Sequence, residues 1–194
     1  KLPLWWLTKE PPSVGFSVKL VEIYKPIYAK PGDEKESLEF IDGGIWRYHP
    51  TKKEFEVFAR GLSNPWGFDF DDHGQGFATC CVIPHLFHIV QGGVYHKQSK
   101  QHVNPYIYDD IKTIRDHVHK SAHGGARFYL ADAFPAKYRN RLFMCNIHQH
   151  MVLTDVMEPK GSSFIGKHGD DFMPTNDLAW VDARLANILL GLLD

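Results

Sequence analysis

Histidines are the residues whose number and spacing most clearly suggest chemistry in this chain. There are 12 of them among 194 residues. Seven fall into three groups: His85 with His88, His117 with His119 and His123, and His148 with His150. Two histidines in H-x-H spacing on a strand lie on one face, which suits metal chelation. Imidazoles also serve as general acids or bases and orient substrates, and structural histidines are the third alternative.

The segment Asn64-Pro65-Trp66-Gly67 is the second candidate feature. Pro65 fixes the entry into a strand, Gly67 allows another backbone to approach closely, and Asn64 stands at a strand start. In β-propellers, side chains at strand starts surround the central channel, so Asn64 is a candidate for such a position. An ordinary Asn-Pro turn is the alternative that composition alone leaves open.

Several function classes lack support in the sequence. The net charge is −1 and no basic cluster is present, so we expect no nucleic-acid partner. No apolar run reaches the roughly 20 residues of a membrane helix. There is no Gly-rich phosphate loop, no G-x-S-x-G elbow and no H-E-x-x-H motif. The three cysteines, two of them adjacent, are typical of small buried side chains rather than of a disulfide framework.

Short strands dominate the pattern between Gly43 and Gly93. Alternating runs are separated by turn residues such as Asp71-Asp72-His73-Gly74, which suit a tight hairpin. Four short strands in about fifty residues match one propeller blade, whose repeats run roughly 40–50 residues. The pattern therefore predicts an all-β fold.

The rest of the chain divides into segments of different character. The pattern predicts an irregular segment with one or two strands at residues 1–42 and propeller blades at residues 43–178. Residues 94–122 form a polar insertion within them, with a helical pattern near residues 109–119. Residues 179–194 predict a short amphipathic helix.

Three stretches resemble the family of membrane-bound dehydrogenases, which is related to the quinoprotein glucose and sorbosone dehydrogenases. They are GIWRYHPTKKEFEVFARGLSNPWGFDFDDHGQGFATCCVIPHLFHIVQGG, NPYIYDDIKTI and HGGARFYLADAFPAKYRNRLFMCNIH. The resemblance implies a six-bladed β-propeller, of which this chain would hold about three to four blades. It also implies a location outside the cytoplasm, in the periplasm, and a c-type cytochrome as electron acceptor.

The resemblance further implies pyrroloquinoline quinone and Ca²⁺ as cofactors and a sugar or polyol as substrate. It assigns catalysis to His85, His123 and His148, with a histidine taking the hydroxyl proton. It assigns cofactor binding to Asn64, Trp66 and Asn146. The relatives' arginine before the Asn-Pro pair is Ser63 in this chain.

Three functions follow as hypotheses. The first is a fragment of a quinoprotein-type dehydrogenase that oxidises a sugar or polyol hydroxyl. The second is a propeller without catalysis that binds carbohydrate or protein through its Trp and Tyr residues. The third is a histidine-based metal site without quinone.

Overall fold

A computed structural model describes residues 26–28, 38–40, 43–49, 51–52, 54–97, 111–114, 119–120 and 122–176. These residues form β-strands and one short 3-10 turn, which confirms the all-β prediction. The strands are β1 (Pro26–Tyr28), β2 (Leu38–Phe40), β3 (Gly44–His49), β4 (Glu54–Gly61), β5 (Pro65–Phe70), β6 (Gly76–Cys80), β7 (Leu86–Ile89), β8 (Val94–Tyr95), β9 (His123–Phe128), β10 (Leu142–Asn146), β11 (Met151–Lys160) and β12 (Ser163–Pro174). The 3-10 turn spans Ala136–Tyr138.

The chain divides into two compact units. Unit 1 comprises residues 1–62 and 90–111, and unit 2 comprises residues 63–89 and 112–194. Unit 1 holds an antiparallel pair of β1 and β2 and a sheet in the order β3-β4-β8, in which β8 runs parallel to β4. Unit 2 holds the sheets β5-β6-β7 and β12-β11-β10-β9. Both sheets of unit 2 are antiparallel meanders.

The predicted strands between residues 44 and 90 all form, but the prediction that they make one blade is wrong. Strands β3 and β4 pair with each other and with β8, whereas β5, β6 and β7 form a separate sheet, because the pattern of a strand does not determine its partner. The predicted helix near residues 109–119 is described only in part. Residues 111–114 carry no helix there, and Ile111 forms a parallel bridge with Tyr95. The predicted C-terminal helix at residues 179–194 lies outside the described residues. No helix within the described ranges is long and apolar enough to cross a membrane.

The core of unit 2 lies between its two sheets. Alternation along β10 sends Leu142 and Met144 to this core and Phe143 and Cys145 to the opposite face. The residues of the core come from both sheets: Phe77, Leu86, Ala126, Phe128, Leu142, Met144 and Leu153. The segment after β9 covers the opposite face of the four-stranded sheet with aromatic rings, among them Tyr129 and Phe134.

Strands β5 and β9, one from each sheet of unit 2, approach so closely that only glycine fits between them. A Cβ added to Gly67 would lie 2.2 Å from the carbonyl carbon of Gly125. Two side chains also join the sheets: the Thr79 hydroxyl donates to the Gly125 carbonyl at 2.7 Å, and the Phe128 amide donates to Asp69 at 2.8 Å. At the other side, the Ile114 amide donates to the β7 carbonyl of Leu86 at 3.2 Å. These contacts fix the position of β7 and β9, whose ends carry histidines.

Candidate metal centre

Five polar side chains of unit 2 converge beside the core. They are His85 before β7, His119 in the segment leading to β9, His123 at the start of β9, Asp155 in β11 and His168 in β12. Asp155 shares the core-facing side of β11 with Leu153, two residues earlier. His85, His123 and Asp155 are fully buried, His119 is buried, and the His168 side chain is 36% exposed. The cluster therefore reaches from the core to solvent.

Strand β12 is irregular where it carries this site. Leu153 pairs with Asp171 and Asp155 pairs with His168, so β12 has one residue more than β11 between these pairs. Such a bulge turns two side chains of one strand to the same side, and here His168 and Asp171 meet. Gly169 permits the bulge, because a Cβ at this position would lie 2.5 Å from the Thr154 hydroxyl oxygen. The bulge thus aims the His168 ring at Asp155 and His119.

Three atoms of the cluster form a triangle of the size that a metal ion requires. His119 Nε2 lies 2.7 Å from His168 Nδ1 and 3.7 Å from Asp155 Oδ1. The third side, from His168 Nδ1 to Asp155 Oδ1, is 4.0 Å. A point equidistant from these atoms lies about 2.1 Å from each, which is the usual bond length from zinc to nitrogen or oxygen. The three donor atoms therefore lie close enough to share one ion, and tetrahedral zinc would require the two imidazole nitrogens, now 2.7 Å apart, to separate slightly.

Each of the three candidate ligands has a second hydrogen bond on its outer side. His168 Nε2 donates to Asp171 Oδ1 at 2.9 Å, so the His168 lone pair is on Nδ1. Asp155 Oδ2 accepts from His85 Nε2 at 3.0 Å, while its other oxygen faces the triangle. His119 Nδ1 lies 3.2 Å from His123 Nε2. Metal ligands in proteins are oriented by contacts of this kind.

A cation bound between His119 and His168 would take the place of the hydrogen that lies between these two rings. Because His168 Nε2 donates to Asp171, neutral rings would have His119 Nε2 donating to His168 Nδ1 and His123 Nε2 donating to His119 Nδ1. If His119 Nε2 and His168 Nδ1 held a cation, the His119 hydrogen would have to be on Nδ1, with His123 Nε2 as its acceptor. His123 Nδ1 is buried and has no hydrogen-bond partner among the described residues, so moving the hydrogen to this atom would carry the cost of a buried unpaired donor.

A second triplet, His85, His119 and His123, also has donor atoms within 4.8 Å of one another. The His85 ring is stacked on those of His119 and His123, with centroids 4.7 and 4.1 Å apart and planes inclined by 22° and 15°. The lone pairs of imidazole nitrogens lie in the ring planes, so nearly parallel rings do not direct them to one point. The His119 and His168 rings are inclined by 86°. The triangle with Asp155 is therefore the better site for a single ion.

His123 is held neutral at ordinary pH. Burial, together with the neighbouring His85 and His119, lowers the pKa of His123 to about 3. A neutral His123 can support His119 by accepting its hydrogen, and no proton must leave this residue before a metal binds. The single carboxylate among four imidazoles supplies the negative charge of the site.

The structure brings together two of the three residues assigned to catalysis by the family resemblance. His85 and His123 stack at 4.1 Å between ring centroids. His148 is exposed in the turn after β10, and nothing in the described part of the chain joins it to them. Asp155 and His168 were missed by the sequence reasoning. A detectable signal was the carboxylate of Asp155 in the largely apolar first part of β11, residues 151–157.

The three residues assigned to cofactor binding use their polar atoms within the protein. Asn64 Oδ1 accepts from Trp66 Nε1 at 3.1 Å. Asn146 is fully buried, donates to the Lys120 carbonyl at 2.6 Å and accepts from the Gln149 amide at 2.9 Å. The histidine cluster offers mostly nitrogen, whereas Ca²⁺ prefers six to eight oxygens. These residues therefore do not fit a calcium–quinone site, and we derive no step through one.

A separate polar group surrounds His88 in β7. His88 Nδ1 lies 3.1 Å from Ser163 Oγ, and His88 Nε2 lies 3.0 Å from Gln75 Oε1. The His88 ring also contacts Phe77 and Phe164, with centroids 5.3 and 4.9 Å away. Burial lowers the pKa of His88, and the nearby Asp71 opposes this shift.

The lowered pKa of His88 makes the stability of the chain depend on pH. Below the ordinary histidine pKa of about 6.5, unfolded His88 binds a proton that the folded residue does not, so acid lowers the free energy of unfolding. We expect metal-free protein to lose more stability between pH 7.5 and 5.5 than a His88→Gln variant does. The difference should be at most about 1.4 kcal/mol per pH unit, measured by urea unfolding. Equal losses would show that His88 titrates alike in both states.

Comparison with known families identifies one match over most of the chain. The family described as Domain of unknown function (DUF7133) matches residues 24–186 of the 194. Searches of curated proteins and of solved structures returned no significant match. The description of the family assigns no activity, so the dehydrogenase function implied by the sequence resemblance stays a prediction. The match includes both sheets of unit 2 and all five clustered side chains, and the chain belongs to the DUF7133 family.

Proposed function

We propose that unit 2 is a metal-dependent centre in which His119, Asp155 and His168 bind one divalent transition-metal ion. The observation that carries this proposal is the triangle of their donor atoms, with sides of 2.7, 3.7 and 4.0 Å. Two imidazoles and one carboxylate suit ions such as Zn²⁺ or Fe²⁺ rather than Ca²⁺ or Mg²⁺.

Three protein ligands leave coordination positions open, which distinguishes a catalytic from a closed structural site. The partly exposed His168 lies on the side where solvent or a substrate could reach these positions. An ion bound there would supply Lewis acidity or activate a water molecule. The residues of this chain hold the ligands: His85 orients Asp155, His123 supports His119, and Asp171 orients His168.

The proposal is tested by metal titration of protein purified without a histidine tag and stripped with chelator. We expect about one equivalent of Zn²⁺ or Co²⁺ to bind. At a free metal concentration of about 100 times Kd, the free energy of unfolding should rise by about 2.7 kcal/mol. Ca²⁺ at the same concentration is the control and should give no such rise. Folded protein that binds no transition metal would refute the proposal.

We also propose that the sheets of this chain are blades of a β-propeller. The four-stranded antiparallel meander β9-β10-β11-β12 has the strand number and order of one blade. The three-stranded meander β5-β6-β7 has the order of three consecutive blade strands. Small-angle X-ray scattering in solution would test this. A propeller predicts a disc-shaped envelope with a central depression.

As a second candidate function we propose oxidation of a sugar or polyol outside the cytoplasm, with a cytochrome as acceptor. The pair of His85 and Asp155 supports it, because an imidazole held by a carboxylate is suited to accept a hydroxyl proton. Both side chains are fully buried, so the proposal requires an opening that admits the substrate. The test is reduction of a redox dye by the metal-loaded chain with a panel of sugars and polyols. Substrate-dependent reduction that is lost in His85→Ala, while this variant still binds metal, would support this proposal, and its absence in metal-loaded protein would refute it.

A further inference from the structure

The polar group around His88 is independent of the metal ligands and has the arrangement of an activated nucleophile. Ser163 begins β12 directly after the hairpin turn, His88 lies within β7, and Gln75 precedes β6. Their side chains form one line of contacts: 3.1 Å from Ser163 Oγ to His88 Nδ1, and 3.0 Å from His88 Nε2 to Gln75 Oε1. A nucleophile, a base and a third group that orients the base define a catalytic triad by geometry rather than by sequence order.

The hydrogen bonds assign the role of each nitrogen of His88. Because Gln75 Oε1 is an acceptor, His88 Nε2 carries the ring hydrogen and donates it. His88 Nδ1 therefore has the lone pair and accepts from the Ser163 hydroxyl. An amide in the third position also orients the histidine of papain-like proteases. Gln75 thus holds the base in the tautomer that a nucleophilic serine needs.

The surroundings keep this arrangement in place. Asp71 Oδ1 accepts from the backbone amides of His73 and Gln75 at 3.0 and 2.7 Å, which fixes the turn that presents Gln75. The rings of Phe77 and Phe164 pack against His88 and limit the access of water to it. His88 itself is 6% exposed, whereas Ser163 is only partly buried, so a substrate can approach the hydroxyl while the base stays sheltered.

We propose that Ser163 is a nucleophile that His88 activates for acyl transfer from small esters, with Gln75 as the positioning residue. Ser163 Oγ bonds to the ester carbonyl carbon as its proton passes to His88 Nδ1. The bond from carbon to the alcohol oxygen then breaks, and that oxygen takes the proton from His88. A water molecule repeats the sequence at the acyl-serine and releases the acid, so ester and water give acid and alcohol without an oxidant.

The experiment treats the full chain with a fluorescent fluorophosphonate, which forms a covalent bond with activated serines, and locates the label by peptide mass spectrometry. We expect labelling at Ser163, loss of labelling in Ser163→Ala, and retention of it in the matched control Ser162→Ala. His88→Gln should slow labelling by about 100-fold or more. Hydrolysis of p-nitrophenyl acetate should follow the same order among these variants.

The role of Gln75 is tested by rescue. Gln75→Ala should slow labelling, and Gln75→Glu should restore it, because a carboxylate also accepts from His88 Nε2. Circular dichroism and thermal melting confirm that each variant is folded. Labelling should persist in the presence of a chelator, since no residue of this triad is a proposed metal ligand. Absence of labelling in folded wild-type protein, or labelling at another residue that persists in Ser163→Ala, would overturn the proposal.

Discussion

Replacing His119 with alanine is expected to abolish stoichiometric metal binding. His119 Nε2 is a corner of the donor triangle, 2.7 Å from His168 Nδ1, and Nδ1 of the same ring contacts His123 at 3.2 Å. Loss of a residue that only orients a ligand already costs about 10- to 100-fold in metal affinity. Loss of the ligand itself should weaken affinity by at least about 100-fold. The measurements are metal equivalents per chain and the metal-induced shift of Tm.

His148→Ala is the matched control for that experiment. His148 is also a histidine of unit 2, but it is exposed in the turn after β10. This variant should bind metal as the wild type does, and its Tm without metal should change little, because surface substitutions rarely matter. Unchanged metal binding in His119→Ala would place the ion elsewhere, and a loss in His148→Ala would contradict the assignment of the site.

Replacing Gly67 with alanine is expected to cause the largest loss of stability. The added Cβ would lie 2.2 Å from the Gly125 carbonyl carbon and 2.3 Å from the Ala126 nitrogen, both of them backbone atoms. Backbone cannot rotate away as a flexible side chain can, so β5 and β9 must separate. Overpacking of a well-filled core costs 1–3 kcal/mol, and here we expect about 3 kcal/mol or more. Urea unfolding measures the change.

Gly124→Ala provides the comparison for Gly67→Ala. A Cβ on Gly124 would meet the Trp66 ring at 3.4 Å, an ordinary contact, and Gly124 lies on the same strand as Gly125. We expect this variant to change the free energy of unfolding by less than about 1 kcal/mol. If both variants unfold at the same urea concentration as the wild type, β5 and β9 do not pack as described.

The strands of unit 2 were predictable because their pattern is local. Apolar alternation and turn residues mark β5, β6 and β7, and the run from Met151 to Pro159 predicts one strand, which the structure extends to Lys160. The sequence indicated only one of the two strands in the close contact between β5 and β9. Gly67 indicated that some backbone comes close, but its partner Gly125 is far along the chain, and periodicity carries no information about such pairs.

The site was predictable only in part, for a similar reason. His85 and His123 stood out because histidine is a distinctive residue type, whereas Asp155 and His168 needed knowledge of register. One extra residue in β12 decides that His168 and Asp171 share a side of the sheet. A regular strand would place residues three apart on opposite faces. The contacts of His88 with Ser163 and Gln75 likewise could not be predicted from the sequence, because the three residues lie in β7, in β12 and in the turn before β6.

X-ray absorption spectroscopy of the chain loaded with one equivalent of Zn²⁺ tests the central claim most directly. The account predicts that the first coordination shell contains only nitrogen and oxygen, at about 2.0–2.2 Å. It also predicts scattering from the more distant ring atoms of two imidazoles. A shell containing sulfur at about 2.3 Å would assign the ion to Cys80, Cys81 or Cys145 instead. That result, or a shell without imidazole, would contradict the site at His119, Asp155 and His168.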